Sequence, residues 1–390
     1  MTGRIVRPAR RPPIRAALGA LLFVCSFALA TSGPTARASV PRERPLLIVV
    51  VGAPGTEEYD AAFRVWSERW QAAADAAGAE FVSIGLDSSP AAEDRETLQQ
   101  RLADAPRSSE PLWLVLIGHG TFDGKTAKFN LRGPDISPEE LAGWLEPIER
   151  PTVVINAASS SGPFLPALSR RDRVVITATR SGHEYNFSRL GDHLSQAITD
   201  PQADLDRDGQ ISLLEAFLLA SSRVREFYAA ETRLATEHSL NDDNGDGLGT
   251  PAEWFRGVRA TKSARDGAPL DGARAARIVL IPSPEELALS PEIRARRDEL
   301  EHELDALRLL RRRLDEAEYL TRLEPLLIEL GRLYGEFPAG APGGGSDSPT
   351  PSLRPPAGGP GGAGPGGPNP AASSDGPPAS PLAAPPADSD

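Results

Sequence analysis

Five short runs of apolar residues, separated by polar stretches with helical spacing, constrain this chain more than any other feature. They are LLIVVV from Leu46, FVSIGL from Phe81, WLVLIG from Trp113, TVVINA from Thr152 and RVVITA from Arg173. Such nearly unbroken runs lack the alternation of a strand with one wet face, so they belong in a parallel sheet covered by helices on both faces. Glu57 to Ala77, a stretch around 96–104 and another around 137–147 supply those helices. Residues 45–200 therefore read as one α/β domain. In sheets of this kind ligands collect beyond the carboxyl ends of the strands. That points to Gly52, to His119 and Gly120, to the turn from Ala158 to Gly162, and to the segment from Thr179 to His183.

A second signal follows the sheet. DLDRDGQISLLE places Asp204, Asp206 and Asp208 at positions one, three and five of a twelve-residue loop. Gly209 stands at six, the Gln210 carbonyl at seven, Ser212 at nine and Glu215 at twelve. Alternate carboxylates converge on one hard cation, the glycine permits the sharp turn, and the last glutamate supplies two oxygens, which is the pattern of an EF-hand calcium loop. DDNGDGLGTPAE repeats it with Asp242, Asn244, Asp246, the Leu248 carbonyl, Thr250 and Glu253, but carries Gly249 where a β-branched residue usually pairs with a partner loop. The loop starts are 38 residues apart (242 − 204). Residues 201–260 are thus expected to form an EF-hand pair binding Ca2+. Exported modules bind calcium at about 0.1–1 mM, so a structural role is expected rather than a signalling one.

The strand WLVLIGHG ending in His119-Gly120, followed by TVVINAASSSG, resembles the caspase/legumain-like cysteine peptidases. The resemblance extends over residues 45–260 and includes VVVGAPGTEEYDAAFRVW and VVITATRSGHEYNFS, the latter similar to the family's substrate-pocket strand. It implies a caspase-haemoglobinase α/β fold. It also implies that His119 stands where the family has its general base, Gly120 where it has an oxyanion donor, and Ser159 where it has its nucleophilic cysteine, with Ser161-Gly162 completing the turn. The serine is a departure from the pattern. A hydroxyl has a far higher pKa than a thiol and must surrender its proton during attack, which a dyad suited to a thiolate is poorly arranged to assist.

Cysteine usage bears on the same point. Cys25 is the only cysteine among 390 residues. It lies inside an arginine-rich, then apolar leader ending in Ala36-Arg37-Ala38, which reads as a secretory signal peptide over residues 1–38. The exported chain is therefore expected to lack disulfides, thiolate metal sites and cysteine nucleophiles, and it contains no later run long enough to span a membrane. A net charge of −12 argues against a nucleic-acid partner.

Residues 286–335 are rich in Leu, Arg and Glu, with Leu300, Leu304, Leu307 and Leu314 at helical spacing, and read as a helical hairpin broken near Pro325. The Pro/Gly-rich stretch 338–390 has too few apolar side chains for a core and is expected to be disordered.

Two other motifs do not hold. HGTFDGKT ends like a phosphate loop but has His119 where the first glycine belongs, and Ser159, Ser160 and Ser161 each lack the glycine two residues earlier that a nucleophile elbow requires. Beside a reading in which the EF-hand pair is itself the purpose, the sheet domain is its carrier and residues 286–335 dock a partner, two functions remain open. One is a calcium-binding pseudo-peptidase that acts as a binding or scaffolding domain for a protein or peptide ligand. The other is an active hydrolase using a Ser159-His119 dyad.

Overall fold

The computed structural model describes residues 43–86, 93–105, 107–262, 270–311 and 313–335. The leader at 1–38 and the tail at 338–390 lie outside them. The five apolar runs form parallel strands: β1 (Leu46–Val51), β2 (Glu80–Ile84), β3 (Leu112–Ile117), β6 (Thr152–Asn156) and β7 (Arg173–Thr177). Every residue of β1, β3, β6 and β7 is buried, as a strand covered on both faces requires. The sheet runs β2-β1-β3-β6-β7 and then continues, antiparallel, into β8 (Leu240–Asp242) and β9 (Thr250–Pro251).

Alternate residues divide between two cores. Leu47, Val49 and Val51 face the side covered by α1 (Glu57–Ala77), α5 (Leu190–Ala197) and α6 (Leu213–Ala230). Leu46, Ile48 and Val50 face α2 (Asp94–Ala103), α3 (Pro138–Leu145) and α4 (Phe164–Leu168). The chain is thus a mixed α/β protein with a mainly parallel central sheet flanked by helices. Helix α1 starts because the Thr56 hydroxyl accepts the Tyr59 N–H, and it stops at Gly78, which adopts φ +64°. Its buried Phe63, Trp66, Trp70, Ala73 and Ala74 recur at helical spacing. A fully buried side chain such as Phe63 contributes about 3 kcal/mol.

A short hairpin, β4 (Gly120–Phe122) with β5 (Ala127–Phe129), folds back beyond the end of β3. After α7 (Pro284–Ala288), the helices α8 (Pro291–Leu310) and α9 (Glu316–Gly335) pack through Leu300, Leu304 and Leu330. The break between them is not near Pro325, which lies inside α9. It falls before Asp315, whose side chain accepts the Glu318 N–H and starts the new helix. Proline removes one helical hydrogen bond, but the leucines on either side keep their contacts with the first helix. None of the helices among the described residues is long and apolar enough to cross a membrane.

Candidate functional site

Strands β3 and β6 are adjacent and parallel, with Leu116 beside Asn156, so the segments that follow them emerge side by side. This brings Gly120, the neighbour of His119, against Ser159. Gly120 is required by the close approach: a Cβ there would lie 2.1 Å from the Ser159 carbonyl oxygen. The Gly120 N–H donates to Ser159 Oγ at 3.2 Å, and that hydroxyl donates to the Gly120 carbonyl at 3.1 Å. Ser159 is buried, and its proton is directed at a carbonyl rather than a base.

His119 is held separately. Its Nε2 lies 3.2 Å from the Pro54 carbonyl, which can only accept, so the proton sits on Nε2 and the neutral ring keeps its lone pair on Nδ1. Tyr59, Phe63 and Phe187 surround the ring at centroid distances of 4.7, 5.4 and 5.8 Å. Burial among these rings pushes the imidazole pKa down, outweighing the Pro54 hydrogen bond, and favours the neutral form. Among the described residues no hydrogen bond joins His119 to Ser159.

The rest of the turn is tied to the segment after β7. Ser160 adopts φ +54°, uncommon for a residue with a side chain, and its N–H donates to the Glu184 carbonyl at 2.8 Å. Ser161 Oγ accepts the Thr179 N–H at 3.1 Å, and the Gly162 N–H reaches Thr179 Oγ1 at 2.9 Å. Arg180 pairs with Glu184 at 3.1 Å, and Glu184 also takes His238 Nδ1 at 2.7 Å. His183 stacks edge-on against Phe122 at 5.0 Å. Arg180 is thus paired to a carboxylate and His183 is packed on a ring. Two cavities of about 380 and 270 Å3 lie elsewhere, the larger near Pro45 and Gly78 and the smaller near Val224 and Glu237, and neither is lined by His119 or Ser159.

The first acidic loop lies between α5 and α6. Asp204, Asp206 and Asp208 each bring an oxygen within 4.8 Å of the others. Gly209, at φ +82°, donates to Asp204 Oδ2 at 3.1 Å, and the Gln210 N–H donates to Asp208 Oδ1 at 2.8 Å. The Gln210 side chain accepts the Ser283 N–H. Ser212 caps α6 in a reciprocal capping box with Glu215. Burial and then the neighbouring Glu215, Asp208 and Asp204 carboxylates push the Asp206 pKa up. The donors are all oxygens, with no imidazole or thiolate, and that set fits a hard cation such as Ca2+ rather than Zn2+.

The second loop has the same start in a different frame. Asp242 accepts the Gly245 and Gly247 N–H groups at 3.0 Å each, Asn244 accepts the Asp246 N–H at 2.8 Å, and Asp246 accepts the Leu248 N–H at 2.7 Å. Among the described residues no β-bridge joins this loop to the first. This loop is flanked by strands, with β8 paired to β7, while Ser212 of the first loop bridges Val279 instead. Gly249 has a steric cause: a Cβ there would meet Leu165 Cδ1 at 2.6 Å and Leu240 Cβ at 2.7 Å. Thr250 is buried in β9, whereas Glu253 is exposed on a 3-10 turn. Asp271, which sequence spacing did not single out, is buried beside this loop, and burial pushes its carboxyl up to about 7.

No family model matches the sequence, and no curated protein matches it. Among solved structures the chain is similar to caspase-1 from Spodoptera frugiperda, at 11% identity and a TM-score of 0.36, over 52% of this chain and 86% of that one. It is also similar to the Drosophila initiator caspase Dronc, at 14% identity and a TM-score of 0.34, over 52% and 79%. At these identities and scores nothing about activity passes from those proteins to this chain.

Proposed function

We propose that this chain is an exported, calcium-stabilised caspase/legumain-like domain without peptidase activity, serving as a binding or scaffolding protein for a protein or peptide ligand. The observation that carries the reading is the closed pair of hydrogen bonds between Ser159 Oγ and the backbone of Gly120. They occupy the hydroxyl proton that attack would have to release and the amide expected to stabilise an oxyanion. A serine in place of a thiol, with no hydrogen bond to His119, supports the same conclusion. Export rests on the leader sequence alone.

Calcium in the first loop would be held by Asp204, Asp206 and Asp208, with the Gln210 carbonyl, Ser212 and Glu215 completing the set. Bound there, the ion supplies a counter-charge to the crowded carboxylates and ties the end of α5 to the start of α6. Its role is structural, and no chemical step depends on it.

A hydrolase reading has one observation in its favour. The Pro54 carbonyl holds His119 as the tautomer whose Nδ1 can accept a proton. The two readings part under a serine-directed fluorophosphonate in calcium-loaded protein. The pseudo-peptidase reading expects unchanged intact mass; stoichiometric labelling at Ser159 would overturn it.

A further inference from the structure

The two acidic loops share an oxygen-bearing side chain at positions one, three, five and nine and a glycine at six, but not their closing carboxylate. In the first loop Glu215 Oε1 accepts the N–H groups of loop positions two and three, Leu205 and Asp206, at 2.8 and 3.3 Å. Its Oε2 accepts the hydroxyl of position nine, Ser212, at 2.7 Å. In the second loop Glu253 makes none of these contacts among the described residues. They are made instead by Asp271. Its Oδ1 accepts the N–H groups of positions two and three, Asp243 and Asn244, at 2.9 and 3.2 Å, and its Oδ2 accepts the hydroxyl of position nine, Thr250, at 2.6 Å.

An independent observation lies at the same place. Asn241 is fully buried, yet its Oδ1 and Nδ2 both lack a hydrogen-bond partner among the described residues. It lies directly across from Thr250 in the antiparallel pair, so the two side chains share the face on which Asp271 sits. Buried amides are normally paired, and an ion-bound water on that face would satisfy this one.

We propose that Asp271 is the closing carboxylate of a second calcium site, replacing Glu253, so that this site is assembled from two separate segments of the chain. The inference rests on the calcium reading given above and goes beyond it in naming the ligand. Asp243 is not a competitor for the role. Its carboxylate is engaged by the Gly272, Arg274 and Ala275 N–H groups, and these contacts pin the segment carrying Asp271 against the loop. Reach explains the exchange. Thr250 and Pro251 continue as a strand paired to β8, which carries Glu253 away from the ion, whereas a helix start at the same position returns Glu215 to the first loop.

Calorimetric titration of the full chain with calcium tests this. The wild type is expected to bind two ions. Asp271→Asn is expected to weaken one site at least tenfold and leave the other intact, while Glu253→Gln changes either site less than twofold. A tenfold loss with Glu253→Gln, no loss with Asp271→Asn, or a single wild-type site abolished by Asp204→Asn would overturn the inference and leave the first loop standing. No binding at all would instead remove the calcium reading itself, and this inference with it. Hydrogen exchange guards against a misfolded Asp271 variant. In an Asp204→Asn chain, calcium is expected to slow amide exchange at 270–275 together with 242–250, and protection confined to 242–253 would contradict the proposal.

Discussion

Ser159 Oγ and the backbone of Gly120 form a reciprocal pair, 3.2 Å to the amide and 3.1 Å to the carbonyl. The hydroxyl thereby acts as a clamp between the ends of two central strands. Ser159→Ala would leave a buried N–H and a buried carbonyl without that partner. The expected cost is about 1–3 kcal/mol in urea denaturation. An alanine variant as stable as the wild type would show that the clamp contributes nothing.

Gly120 leaves no room for a side chain, since its added Cβ would lie 2.1 Å from a backbone oxygen. Gly120→Ala must push two strand ends apart and is expected to cost about 3 kcal/mol. Thermal unfolding checks this, and an unchanged midpoint would mean that the ends are not packed as described.

His119 is expected to titrate below the ordinary 6.5, because burial among aromatic rings disfavours the imidazolium. The native state then binds this proton less readily than the unfolded chain does. The group's contribution to stability is present above pH 6.5 and is lost as pH falls below it. Following the ring proton signals by NMR across pH 4 to 8 reads the value directly; a midpoint above 6.5 would require an undetected acidic partner.

Calcium is expected to raise the unfolding midpoint, by the equivalent of about 2.7 kcal/mol at a hundred times the Kd. Asp204→Asn or Asp208→Asn should abolish the part due to the first loop, because three oxygens converge there. A calcium response unchanged in both variants would place the ion elsewhere.

The sequence was most legible where a single strand carried the signal. Runs such as LLIVVV announce burial on both faces, and the adjacency of two parallel strands sets Gly120 against Ser159 without further help. The first acidic loop was equally local, twelve consecutive residues ahead of a helix. What escaped depends on contacts between distant segments. Asp271 meets Asp243 across 28 residues, Glu184 gathers Arg180 and a histidine 54 residues further on, and the Pro54 carbonyl that orients His119 has no side-chain signature at all. Pro325 misled for the opposite reason. A helix breaker in isolation is tolerated where leucines on both sides are already packed.

Hydrolysis of a fluorogenic peptide library by the purified chain, with and without calcium, against the Ser159→Ala variant, tests the central claim most directly. A chain without peptidase activity gives the same background rate in all four conditions. Wild-type turnover that is lost in Ser159→Ala would contradict the account and establish Ser159 as a nucleophile.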